Sequence, residues 1–226
     1  MSISLIRHQE IFNPVHHQLP VSIIGAGATG SRVFEALIKL GVDDLTVYDF
    51  DTVEPHNLAN QLYGQHHVGI PKVQALAEWY TSYIEEQIPD SIRFINRRVP
   101  DAQAPLKGVV FLLTDTMESR REIFNAELDM NPEIMYVIET RMASSYGNIL
   151  SFNPNNPLEG ERWLATLIDD DEAEVSACGA SISVGPTASV IANWAVWQYI
   201  LLCRGEPLDA RLNLNLQVAV LGAEKL

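Results

Sequence analysis

The chain has 226 residues, 47% of them hydrophobic and 19% charged, and a formal net charge of −14. That length suits one large α/β domain with a substantial core, and the short tail after the predicted sheet counts against the separate substrate region of a classical dehydrogenase. The acidic balance, with no basic cluster beyond Arg97-Arg98 and Arg120-Arg121, excludes nucleic acid as the main partner.

In chain order, residues 1–20 form an N-terminal segment whose His8, His16 and His17 read as surface histidines, because adjacent side chains point apart and no third ligand stands out. Val21 to Ile24 is an apolar strand, followed by Gly25-Ala26-Gly27-Ala28-Thr29-Gly30 and a helical pattern with Val33, Leu37 and Leu40 that Gly41 ends. Gly25 suits a tight turn, Gly27 lets backbone approach a phosphate or ribose, and Gly30 lets the helix pack closely on the strand. The helix start offers free N–H groups and a partial positive charge. Leu45 to Tyr48 is a second strand that presents Asp49, an acid suited to ribose hydroxyls. Up to this point NAD and ATP fit equally.

The next segment separates them. Asp51 follows Asp49, Asn57 and Gln61 sit in a short helix or loop, and Lys72 opens a helix running to Gln87 after Pro71. A lysine there can reach a triphosphate as a compact point charge. Hydride transfer has no use for it.

Beyond Lys72, Ile92 to Asn96 and Val109 to Leu113 read as strands, and Asp115 stands at the C-terminal end of the second, the edge where ligands of open sheets collect. Asp115 also suits the cap of a helix from Glu118 to Met130. A strand from Ile134 to Ile138 completes an open parallel sheet, while Tyr146 to Phe152 and the alternating Leu212 to Val218 read as antiparallel strands. Pro154 to Pro157 marks a loop, and Asp169 to Glu174 an acidic, solvated one. Val184 to Cys203 is about long enough to span a bilayer, yet Gly185-Pro186, Asn193, Gln198 and two tryptophans argue for a buried helix. Cys178 and Cys203, with no Cys-x-x-Cys pair and no signal peptide, predict a reducing, cytoplasmic setting without zinc.

The ordered set Gly25-x-Gly27-x-x-Gly30-Ser31, Asp49-x-Asp51-x-Val53, Asn57-Leu58-x-x-Gln61, Gly69-x-Pro71-Lys72 and Thr114-Asp115 resembles the ThiF/MoeB/HesA-type adenylyltransferases, which include the adenylation domain of ubiquitin-activating enzymes. The resemblance implies a Rossmann-like α/β fold with an open, mainly parallel sheet, helices on both faces and antiparallel strands near the C-terminus. It implies one domain over 1–226: the N-terminal segment, a nucleotide-binding core at 21–140, and a crossover loop, long helix and last strands at 141–226. It also implies ATP-dependent adenylation of the C-terminal carboxylate of a ubiquitin-like or sulfur-carrier protein ending in glycine, by a homodimer. Asp49 would hold the ribose, Lys72 the phosphates, Asn57 and Gln61 the phosphate site, and Asp115 a magnesium ion. The loop from Glu161 to Val175 would cross over the incoming tail.

Two positions qualify the resemblance. The family usually carries an arginine where this chain has Asn60, and the loss of that charge weakens transition-state stabilisation. Arg7, which in the family would reach the partner's site, or Arg120 or Arg141, would compensate. Without compensation the chain would be a non-catalytic ATP- or partner-binding scaffold. A relative adenylating a small-molecule or tRNA-attached carboxylate shares the same residues. Cys178 would carry a thioester in some relatives, although the acids before it oppose a reactive thiolate and a small packed residue is the plainer reading.

Overall fold

The computed structural model describes residues 4–84, 87–101, 106–168, 184–217 and 220–224. Among them, eight strands form one sheet in the order β3-β2-β1-β4-β5-β6-β7-β8. The parallel half comprises β1 (Val21–Ile24), β2 (Leu45–Tyr48), β3 (Ile92–Ile95), β4 (Gly108–Leu112) and β5 (Ile134–Met142). β6 (Tyr146–Phe152), β7 (Arg211–Asn215) and β8 (Val220–Glu224) continue it antiparallel.

Every residue of β1, β2 and β4 is buried, which is why these segments read as unbroken apolar runs rather than alternations: both sheet faces are covered there. β7 alternates instead, with Leu212 and Leu214 buried and Arg211, Asn213 and Asn215 partly exposed. One core lies against α2 (Ala28–Leu40), α3 (Lys72–Ile84) and α6 (Gly185–Cys203). The other lies beneath α4 (Met117–Ile123) and α5 (Pro157–Leu164), with Phe124, Phe152 and Trp163 at its centre.

α6 packs Ala188, Ile191, Ala195 and Tyr199 into the first core and leaves Trp197 half exposed. Among the described residues no helix is long and apolar enough to cross a membrane.

The N-terminal segment begins its helical part at α1 (Pro14–His17) and is anchored by Phe12, which is fully buried against Tyr199. Leu5 and Pro14 crowd Gly41, the left-handed cap at the far end of α2. A helix of this length runs about 20 Å, so Arg7 lies near the opposite sheet edge from Gly27.

Four local readings are corrected. The loop expected at Pro154 to Pro157 ends at Asn156, and Pro157–Leu164 is a helix that takes in the first residues of the crossover loop expected from Glu161: Asn156 accepts from Leu158 N–H, and Pro157 suits the first turn. The helix after β4 starts at Met117, is capped by Thr116 rather than Asp115, and gives way at Phe124 to a π turn. β5 runs on to Met142, so Arg141 lies in a strand. The last predicted strand ends at Asn215 rather than Val218, and β8 is a further strand that the sequence reading did not include. Cys178 and the acidic run Asp169 to Glu174 lie outside the described residues.

Candidate active site

The glycine turn takes the form its sequence demands. Gly25 has φ of +97°, and a Cβ there would sit 2.7 Å from the Leu113 carbonyl oxygen, so both the backbone angle and β4 exclude a side chain. A Cβ on Gly30 would lie 1.9 Å from the Gly25 oxygen, which is the close helix-to-turn approach expected of the third glycine. Gly27 caps α2 without a side-chain hydrogen bond, and nothing lies within 4 Å of where its Cβ would be. The first amides of α2 therefore face open space at the C-terminal edge of β1.

Two residues to which the sequence assigned no role brace this turn. Tyr63 donates its hydroxyl to the Ala26 carbonyl at 2.6 Å, and burial holds its pKa well above the ordinary phenol value. Ser31 accepts from Leu62 N–H at 3.2 Å and so fastens the loop carrying Asn57, Asn60 and Gln61 to α2. The sequence signal for Tyr63 was only its place after Gln61.

Asp49 closes β2 with one carboxylate oxygen accepting from Ala26 N–H at 2.6 Å and the other from Asp51 N–H at 2.8 Å. Each oxygen keeps a second acceptor site for a ribose hydroxyl. Burial raises the Asp49 pKa above the usual carboxylate value, against the lowering effects of Lys72 and the two amides. The sign has two consequences. Because the folded chain binds this proton more readily than the unfolded one, acidification through the window above pH 3.8 does not cost stability at this residue. It does remove acceptor capacity, so nucleotide affinity should fall on acidification sooner than an ordinary aspartate would dictate. Calorimetric titration of ATP across that range checks this, with Asp49→Asn flattening the profile.

Lys72, buried at the start of α3, reaches Asp51 Oδ2 at 2.7 Å, and its N–H donates to the Asp51 carbonyl at 2.9 Å. Asn57 is also buried, but its Oδ1 accepts from Glu54 N–H at 2.9 Å and shapes the 3-10 turn Pro55–Ala59. That structural task was not foreseen. Gln61 Oε1 and Thr114 Oγ1 are buried without a hydrogen-bond partner among the described residues. Gly185, first residue of α6, packs on Ala59 and Asn60, 3.2 Å from the Ala59 oxygen by its would-be Cβ. Asp115 is exposed just beyond β4, on the same sheet edge as Gly27 and Asp49.

The structure removes two candidates for replacing the arginine absent at position 60. Arg120 is buried with its Nε 3.0 Å from Glu139 and its Nη2 donating to the carbonyls of Thr114 and Thr140. Arg141 donates to both Glu139 oxygens, at 2.9 and 3.0 Å, and to the carbonyl and hydroxyl of Thr166 at 2.7 and 2.8 Å. Glu139 itself is fully buried and also accepts from Trp163 Nε1 at 3.2 Å. Both guanidiniums are therefore held by this carboxylate and the backbone.

Open helix amides, a ribose-ready carboxylate, a buried lysine and unsatisfied polar atoms at one sheet edge fit a nucleoside triphosphate, and an exposed acid beside them suits magnesium, which takes one or two carboxylates plus phosphate oxygens. The fold is that of a Rossmann-like α/β protein. The ThiF family profile matches residues 15–221, and the chain belongs to the ThiF family.

Its similarity to individual proteins is more local. It is 34% identical over 91 residues to the uncharacterized protein y4oA of Sinorhizobium fredii, across 36% of this chain and 15% of that protein. It is 38% identical over 55 residues to ubiquitin-like modifier-activating enzyme 5 of Gallus gallus, across 24% of this chain and 14% of that protein. The matched stretches thus span about one-seventh of those relatives. Escherichia coli MccB shares the fold at a TM-score of 0.74 and 15% identity, over 97% of this chain and 67% of its own. MccB has also been solved with ATP.

Proposed function

We propose that this chain is one ATP-dependent adenylating domain, spanning 1–226, that activates the C-terminal carboxylate of a ubiquitin-like or sulfur-carrier protein ending in glycine. The observation that carries the reading is the buried Lys72 ammonium beside Asp51, on the sheet edge that also holds the Gly27 amides and Asp49. An adenosine ribose on Asp49 would set the phosphates over the start of α2, within the field of Lys72. The incoming carboxylate oxygen then attacks the α-phosphorus, the bond to the bridging oxygen breaks, and pyrophosphate leaves with the electron pair, giving an acyl-adenylate. Lys72 and the α2 amides stabilise the negative charge that grows on the leaving group. Magnesium, held through Asp115, would supply further charge neutralisation there. The half-exposed Trp197 on α6 supports a second copy of the chain as the partner across that helix.

A scaffold role is the second reading, and Asn60 favours it. With Arg120 and Arg141 engaged by Glu139, neither supplies the missing charge. ATP–pyrophosphate exchange with glycine-terminated carrier proteins decides between the two: exchange supports the enzyme, and its absence with every carrier supports the scaffold. Asn60→Arg is expected to raise exchange about tenfold or more by restoring a charge-assisted phosphate contact. A variant that binds ATP but exchanges no faster would show that position 60 no longer serves the phosphates.

A further inference from the structure

Away from the nucleotide edge, a cavity of about 170 Å³ lies between α5 and the strands β5, β6 and β7. Tyr136 marks its place on β5, three residues before Glu139 and so about 10 Å back along the strand from the edge where ligands of this fold collect. Trp163 and Phe152 form its aromatic wall, stacked with ring centroids 5.0 Å apart.

The polar groups around that wall have an uneven balance. Arg162 is exposed at the rim and makes no hydrogen bond or ion pair among the described residues. Arg211 lines the cavity too, held in place through its Nε on Asn213 at 3.1 Å and its Nη2 on Asn148 at 2.9 Å, neutral partners that leave its charge uncancelled. Glu159 is the one acid in the lining, and its two oxygens are already taken by Asn153 N–H and Asn156 Nδ2, each at 2.7 Å. Ser151 lies between Leu150 and Phe152 on β6 and borders the cavity through its backbone, its side chain sharing the α6-facing side of the strand with Ile149.

We propose that this cavity is a second ligand site, separate from the nucleotide edge, that takes a small aromatic carboxylate. The volume suits one ring: an apolar protein cavity of about 150 Å³ accommodates benzene. Two guanidiniums against the single Glu159 carboxylate leave the lining with a net positive charge that selects an anion, and carboxylate is the planar group that matches a guanidinium fork. The ring lies against the Trp163–Phe152 wall.

Benzoate is the probe. Calorimetry on the full chain is expected to show one saturable site with a Kd of about 1 mM or tighter, and a matching rise in melting temperature. Benzamide, the same shape without the charge, is expected to bind at least tenfold more weakly. Arg162→Ala, a change at an exposed side chain that leaves the fold intact, is expected to weaken benzoate about tenfold. Ser151→Ala, a change on the α6 face of β6, is the control and should leave benzoate affinity unchanged. ATP is expected not to compete. Absence of a saturable site, equal affinity for benzamide, indifference to Arg162→Ala, or competition by ATP would each overturn the proposal. None of these readouts depends on ATP–pyrophosphate exchange, so the adenylation reading can fail while this site stands.

Discussion

Glu139→Ala is expected to destabilise the chain by about 3–5 kcal/mol, the range found when one partner of a buried charged group is removed. Glu139 has no solvent exposure, and it faces Arg120 at 3.0 Å, Arg141 at 2.9 Å and Trp163 Nε1 at 3.2 Å. Truncation would leave two guanidiniums without their counter-ion in a region where water cannot replace it. For a domain of this size that corresponds to a fall in melting temperature of roughly 6–20 °C. The urea midpoint measures the loss directly. Glu139→Gln keeps the shape and some hydrogen bonding but not the charge, and should fall between wild type and alanine. The exposed pair Arg98–Glu122 is the control, since both side chains are nearly half exposed and truncating either is expected to change stability by less than about 1 kcal/mol. The same carboxylate links two parts of the candidate site. Through Arg120 it steadies the Thr114 carbonyl next to Asp115, and through Arg141 it steadies Thr166 after α5. Amide exchange around both positions should accelerate together in Glu139→Gln. Acceleration at only one would show that the two arginines act independently.

Glu139 also marks where sequence reasoning ends. Nothing local announces it: it sits in an apolar strand two residues before an arginine, and its other partners lie 19 and 24 positions away. The fold class, by contrast, was written in local patterns. Unbroken apolar runs identified the strands buried on both faces, and alternation identified β7, because those periods follow from which faces meet solvent. The bounds of β6 came out as Tyr146 to Phe152 for the same reason. Short elements were lost where a loop signal and a helix signal share residues. Pro157 was taken as punctuation, although with Asn156 before it and Glu159 after it the same proline suits a first helical turn. At the candidate site, the roles of Gly25 and Gly30 were legible because they are backbone requirements, fixed by geometry over a few residues. The tasks of Asn57, Tyr63 and Arg120 were not, because each is defined by a partner that only the folded chain supplies.

Lys72→Ala is expected to reduce ATP–pyrophosphate exchange by at least about a hundredfold, the scale on which removing one group that stabilises developing charge lowers a rate. The local structure makes the result interpretable. Lys72 is 7% exposed, yet its counter-ion Asp51 is half exposed, so the carboxylate left behind by the substitution can be hydrated and the fold should survive. The backbone link from Lys72 N–H to the Asp51 carbonyl, 2.9 Å, is independent of the side chain and continues to hold the start of α3. A loss of exchange with an almost unchanged urea midpoint would therefore report on the nucleotide. Arginine is not expected to rescue it, because a rigid planar fork cannot occupy the buried slot that a single ammonium fills on a flexible stem. Asp51→Asn is the complementary test: it removes the competitor for the ammonium, and should tighten ATP binding if the phosphates and Asp51 share Lys72. If instead Lys72→Ala exchanges at the wild-type rate, Lys72 is only the structural counter-ion of Asp51, and the adenylation reading loses the observation that carries it.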